Sequence, residues 1–197
     1  MRRSDESPET ATPEFTSEQR LAAITIGERV PLNDTIGLAP YDPAWPMRFS
    51  ELALRVREAL SDAVLLLEHV GSTSVPDLCA KPIIDMVLAV ADASDEAAYV
   101  PALEACGFTL RIREPDWYEH RLLECLDIDA HLHVFSSGCP EIGRMLDFRD
   151  RLRAHEGDRR RYEEVKRTLA ARKWRHVQHY ADAKSGIVRE ILERAHR

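Results

Sequence analysis

The sequence is poor in the features that mark several large classes of protein. Its four cysteines form no Cys-x-x-Cys pair, which excludes a zinc ribbon and a thioredoxin-type motif and favours free thiols in a reducing compartment. It also has no Gly-x-x-x-x-Gly-Lys loop and no dinucleotide-binding fingerprint. The commonest phosphate-binding loops are therefore excluded as well.

Long apolar runs and a net positive charge are lacking too. No run approaches the roughly 18 apolar residues of a membrane span, and the polar N-terminus, MRRSDESPETATPEF, lacks the apolar core of a signal peptide. We therefore expect a cytoplasmic protein without a membrane partner. The formal net charge of −7 argues against a nucleic-acid partner, because phosphate neutralisation demands a basic surface. Any phosphate site must be local.

The chain does carry enough apolar sequence for one α+β domain. Its 197 residues, 44% of them hydrophobic, suffice to bury a full core. Residues 1–28 are expected to form a flexible tail, in which TSEQRLAAI, capped by Thr16 or Ser17, can make a short helix. Residues 29–197 are expected to form the domain, with a sheet region at about 62–136 and C-terminal helices at about 140–196.

Five segments have the pattern of strands, which predicts a mixed β-sheet of about five strands flanked by helices, with a C-terminal helical layer. They are AVLLLEHV, PIIDMVLAV, FTLRIRE, EHRLLECL and DAHLHVFS. PMRFSELALRVREALSD has helical spacing. A second helix is expected between Ser94, as its N-cap, and Gly107.

A glycine-serine turn and a lone aspartate form the first candidate site. Gly71 offers backbone freedom, and Ser72, Thr73 and Ser74 offer three hydroxyl groups, a combination suited to a phosphate group. Lys81 stands at the mouth of the next strand. Asp85 lies in the middle of that strand, where an unpaired charge is costly, so it needs a partner. The partner could be a metal ion, a basic group or, in a purely structural role, the backbone of the turn.

Four segments in order resemble the GrpB family of the nucleotidyltransferase superfamily: YDPAWPMRF, EHVGSTSVP, AKPIIDMVL and LHVFSSGCPEI. The resemblance covers about residue 30 to the C-terminus. It implies a nucleotidyltransferase-like fold that binds a nucleoside triphosphate with magnesium at Gly71, Ser72 and Asp85. It also implies a catalytic role for Asp85 in transferring a nucleotidyl group to an unknown acceptor.

Two positions depart from the pattern of that superfamily. Its acidic strand carries two carboxylates at positions i and i+2, which jointly hold the metal ions, but here position i+2 is Val87. Glu68, Asp127, Asp129 or a histidine would have to complete the site. The alternative is a non-catalytic module that binds a nucleotide or phosphorylated metabolite. The second departure is Asp77-Leu78-Cys79, where Gly-Leu-Ala is expected.

Histidines offer a different chemistry. His131 and His133 share one face of a predicted strand, and His69 ends the strand before the glycine-serine turn. Asp85, His133 and Glu68 are candidate metal ligands. Asp85 with His131 and His133 would suit a metal-dependent phosphoesterase that uses zinc or manganese. The simpler interpretation is that these histidines are half-buried strand residues.

The C-terminal helices are locally basic. Between residues 149 and 176, eleven Lys or Arg residues stand against five Asp or Glu residues. A solvated helical surface is the ordinary explanation. In the functional interpretation Arg149, Lys166, Lys173 or Lys184 neutralises the phosphate charge of a ligand, and Lys173 and Lys184 are the candidates we retain.

Overall fold

The computed structural model describes residues 15–195. The helices within this range are α1 (Glu18–Ile24), α2 (Trp45–Leu60), α3 (Val100–Ala105), α4 (Pro140–Ala154), α5 (Glu156–Ala170), α6 (Val177–Ala183) and α7 (Ser185–Ala195). The strands are β1 (Leu66–Val70), β2 (Ile84–Val90), β3 (Phe108–Glu114), β4 (His120–Cys125) and β5 (Ala130–Ser136). None of these helices is long and apolar enough to span a membrane.

The five strands form a single mixed sheet in the order β1-β2-β5-β4-β3. Strands β2 and β5 are parallel, and the other neighbouring pairs are antiparallel. The predicted α+β class with about five strands and a C-terminal helical layer is confirmed. Because β5 runs beside β2 in register, Asp85 lies next to His131 and Val87 lies next to His133.

Successive side chains of β2 point to opposite faces of the sheet. Met86 and Leu88 point into the main core with Leu132 of β5, and this core is covered by α2 and α3 through residues such as Leu52 and Leu103. The opposite face carries Asp85, Val87 and Ala89. The C-terminal helical layer covers part of that face, and the remainder is the floor of a cleft.

The prediction for the N-terminal segment falls only partly on described residues, since residues 1–14 lie outside them. Ser17 caps α1 by accepting a hydrogen bond from the backbone N–H of Arg20, so the predicted short helix is confirmed. The segment after it joins the sheet, because Thr25 bridges to Ile112 of β3. Residues 15–30, here called the N-terminal strap, therefore pack onto the domain instead of extending from it.

The helix predicted from Ser94 to Gly107 is shorter than expected. Both the backbone N–H and the hydroxyl of Ser94 bond to the carboxylate of Asp92, so Ser94 closes a local turn and caps no helix. A short 3-10 turn follows, and α3 begins only at Val100. Its end is as predicted, because Gly107 has a φ of +98°.

Candidate functional site

Asp85 lies against Gly71, as the sequence led us to expect. Gly71 has φ +66° and ψ −172°, a conformation essentially restricted to glycine. A Cβ atom at this position would be 2.4 Å from Oδ2 of Asp85. The absence of a side chain at residue 71 therefore lets the carboxylate sit directly on the turn.

The carboxylate is at the polar end of a cleft of about 530 Å³. The sheet forms the floor, and α1, α6 and the rest of the N-terminal strap form the roof. Lys81, Lys184, His131 and His133 line the cleft together with Asp85. Nδ1 of His131 is 3.4 Å from Oδ1 of Asp85, and Nζ of Lys184 lies 4.4 Å from the centre of the Tyr180 ring.

Electrostatics make this end of the cleft suited to an anion. Burial lowers the pKa of Lys184 to about 8, although Asp85 opposes the shift. Burial also lowers the pKa of Lys81, again against the charge of Asp85. Burial tends to raise the pKa of Asp85, but the hydrogen bond from His131 and the charge of Lys184 outweigh it and lower that pKa. A bound anion would compensate the two partly desolvated ammonium groups.

Lys166 lies behind this end of the cleft. Only 2% of it is exposed, and its Nζ donates a hydrogen bond to the backbone carbonyl of Cys79. Burial, helped by the charge of Lys184, lowers its pKa to about 7. Lys166 is therefore tied to the backbone beneath the site and does not line the cleft.

The hydroxyl groups of the turn have a different role from the predicted one. Oγ1 of Thr73 donates to the carbonyl of Ile83 at 3.1 Å and is 3.0 Å from Nε2 of His69. Oγ of Ser74 donates to the carbonyl of Gly71 at 2.7 Å, and the Ser72 hydroxyl bonds to Tyr162. Thr73 and Ser74 are buried, so their hydroxyl groups hold the shape of the turn instead of binding phosphate.

Two further predicted site residues lie elsewhere. Glu68 forms a 2.8 Å ion pair with Nη1 of Arg149 and lines a separate cleft beside α4. Lys173 is exposed between α5 and α6 and does not line the Asp85 cleft. Asp127, which could have replaced a missing carboxylate, pairs with Arg55 at 2.7 Å.

The three predicted metal ligands are consequently not assembled. Among residues 15–195 no group of three or more His, Cys, Asp or Glu side chains is arranged to hold a metal ion. Val87 is fully buried in an apolar cluster with Phe135 and Ile142. A two-metal clamp does not fit this site, because the position of its second carboxylate belongs to the core.

The structure adds two residues that the sequence reasoning missed. Nδ1 of His133 lies 3.1 Å from Nε2 of His120, and Nδ1 of His120 lies 2.8 Å from Glu114. His120 and Glu114 are on neighbouring strands, β4 and β3, and pair with each other in register. Only a correct sheet order would have revealed that they adjoin His133.

Comparisons with known proteins agree with this architecture. The chain is 58% identical over 179 residues to a UPF0157 protein of Halalkalibacterium halodurans, which covers 91% of this chain and 92% of that protein. It is 45% identical over 160 residues to a UPF0157 protein of Streptomyces coelicolor, covering 81% and 84%. A dephospho-CoA kinase of Mycolicibacterium paratuberculosis is 27% identical over 81% of this chain but only 46% of the kinase.

A solved structure and a family model point the same way. The crystal structure of the conserved protein GrpB from Enterococcus faecalis superposes with a TM-score of 0.70 at 29% identity, covering 82% of this chain and all of that chain. The predicted nucleotidyltransferase-like fold is confirmed. The family model described as GrpB protein matches residues 35–194. The chain belongs to the GrpB family.

Proposed function

We propose that the Asp85 cleft binds a nucleoside triphosphate or a related phosphorylated metabolite. The observation that carries the proposal is the position of Lys81 and Lys184, two half-buried ammonium groups beside a single carboxylate. Phosphate oxygens would bind between the two lysines. The apolar end of the cleft, with Leu21 and Ile112 among its lining residues, would take the less polar part of the ligand.

Magnesium would enter with the ligand. Mg²⁺ is commonly held by one or two carboxylates together with substrate phosphates, and Asp85 can supply one such carboxylate. Because residue 87 is a valine, the site has no second carboxylate at that position. Binding of the ligand is therefore the function that this geometry supports best.

The mycobacterial relatives suggest one specific ligand. Proteins named dephospho-CoA kinase contain a region similar to this chain, and that name refers to a phosphorylated adenosine derivative. Dephospho-CoA therefore belongs in a ligand panel with the common nucleoside triphosphates and inorganic tripolyphosphate.

A thermal-shift experiment tests the proposal. Wild-type protein is heated with each ligand, with magnesium, with manganese or without metal. A ligand at a hundredfold excess over its dissociation constant should stabilise the fold by about 2.7 kcal/mol, which is a shift of roughly 5–11 °C for a chain of this size. Lys184→Met should lose the shift, and Asp85→Asn should lose only its dependence on metal.

Lys173→Met is the matched control, because it removes an exposed lysine outside the cleft. It should keep the wild-type shift. The proposal is rejected if no ligand stabilises the wild type, or if Lys184→Met and Lys173→Met respond equally.

A further inference from the structure

Glu114, His120 and His133 form a continuous hydrogen-bonded chain that ends in the Asp85 cleft. The two links measure 2.8 Å and 3.1 Å. His120 is 3% exposed, and its ring stacks on both His133 and Phe135. The chain is therefore held rigidly by packing as well as by hydrogen bonds.

The chain determines which ring nitrogens carry protons. An ionised carboxylate only accepts hydrogen bonds, so Nδ1–H of His120 donates to Glu114. Glu114 is also 3.5 Å from the guanidinium group of Arg20, which forms its closer ion pair with Asp116. With its Nδ1–H directed at Glu114, His120 accepts at Nε2 from Nδ1–H of His133. This order leaves Nε2 of His133 without a proton.

His133 lies where the unprotonated Nε2 can meet a ligand. His133 lies beside Val87 in the register of β2 and β5, on the same sheet face as Asp85, and it lines the cleft. His133 and Glu68 are the two cross-strand partners of Val87, where the superfamily pattern has its second carboxylate, and of these two only His133 lines the Asp85 cleft. We propose that Nε2 of His133 accepts the proton of a hydroxyl group bound in the Asp85 cleft, with His120 and Glu114 as positioning residues.

The inference rests on the proposed function for its substrate, a phosphorylated ligand that reacts with water or an alcohol. The O–H bond breaks, its proton passes to Nε2 of His133, and the oxygen forms a bond to phosphorus. The bond from that phosphorus to the leaving oxygen breaks, and its electron pair departs with the leaving phosphate. Burial lowers the pKa of His133 to about 3, with Asp85 opposing the shift, so the ring is neutral before the reaction.

The proton order can be measured without knowing the acceptor. Long-range nitrogen–proton NMR spectra of the histidine-labelled full chain distinguish protonated from unprotonated ring nitrogens. We expect a proton on Nδ1 of His133 and none on Nε2. Glu114→Leu removes the acceptor, frees His120 to donate from Nε2, and should move the proton of His133 to Nε2. Asp116→Asn is the control, since it takes the other carboxylate partner from Arg20 and leaves the chain intact.

Chemical modification gives the second readout. Diethyl pyrocarbonate attacks an unprotonated, accessible imidazole nitrogen, so mass spectrometry of the His133 peptide should show reaction in wild type and Asp116→Asn. Reaction in Glu114→Leu should be about tenfold slower or more, because the proton removes the lone pair. A proton on Nε2 in the wild type, or an unreactive His133, overturns the inference.

Adding a nucleoside triphosphate separates this inference from the proposed function. Protection of His133 by ATP and magnesium supports both. If Nε2 of His133 is unprotonated and reactive but no ligand gives a thermal shift, the proposed function is rejected and the proton order is upheld. A thermal shift combined with a protonated Nε2 rejects only the inference.

Discussion

At the scale of single residues, Gly71 has the strictest requirement. Its positive φ and the 2.4 Å separation between a hypothetical Cβ and Oδ2 of Asp85 mean that any side chain would strain the turn and displace the carboxylate. We expect Gly71→Ala to lower the free energy of unfolding by about 1–3 kcal/mol, measured by urea denaturation. Gly143→Ala is the matched control, because Gly143 lies in α4 with open space around it. That change should be neutral or slightly stabilising. Equal losses in both variants would contradict the explanation.

Some residues of the site could be identified from the sequence, and others could not. Asp85 could be identified because a carboxylate inside an apolar strand needs a partner, and Gly71 because it ends a strand. Thr73 and Ser74 could not be assigned correctly, since a hydroxyl group has the same sequence signal whether it binds a ligand or a backbone carbonyl. The structure decides between these roles through burial.

At the scale of elements, Glu18 is one of the side chains that hold the N-terminal strap over the cleft. Glu18 lies 2.6 Å from Nε2 of His176, 2.7 Å from Arg29 and 2.9 Å from Arg175. We expect Glu18→Gln to loosen the strap with little global cost, less than about 1 kcal/mol, because these pairs are partly exposed. Hydrogen exchange of residues 18–30 should become faster while exchange in β2 and β5 is unchanged.

A suitable comparison is Glu51→Gln, which removes an exposed pair with Arg55 in α2 and should leave exchange in the strap as it is in wild type. Unaltered exchange in Glu18→Gln would show that the other contacts of the strap, such as the backbone bond from Ile26 to Arg111, hold it without Glu18. The helix in this segment could be predicted from its cap. Its docking could not, since an isolated bridge between Thr25 and Ile112 has no local signature.

At the scale of the whole molecule, the strands were predictable and their order was not. Strand patterns depend on neighbours two residues apart, whereas the pairing of β2 with β5 joins segments separated by α3, β3 and β4. That pairing brings His131 and His133 to Asp85 and His120 to His133. The hydrogen-bonded chain from Glu114 to His133 and the cleft are consequences of topology, which alternation along one strand does not encode.

The buried histidines also predict how the whole fold responds to acid. Burial lowers the pKa of His69 to about 4, with Asp85 opposing the shift, and burial lowers that of His133 to about 3. An unfolded histidine titrates at about 6.5, so the unfolded chain binds more protons as pH falls below that value. Stability is therefore lost from about pH 6.5 downward, before most carboxylates titrate, by at most about 1.4 kcal/mol per pH unit for each histidine.

His69→Gln tests this account, because the amide can still donate to Thr73 but does not titrate. Urea denaturation between pH 7 and about 4.5 should show a smaller loss of stability in His69→Gln than in wild type. His155→Gln changes an exposed histidine and should follow the wild-type slope. If all three proteins lose stability in parallel, His69 is not a source of the acid sensitivity, and carboxylate pairs such as Glu96 with Arg113 must account for it at lower pH.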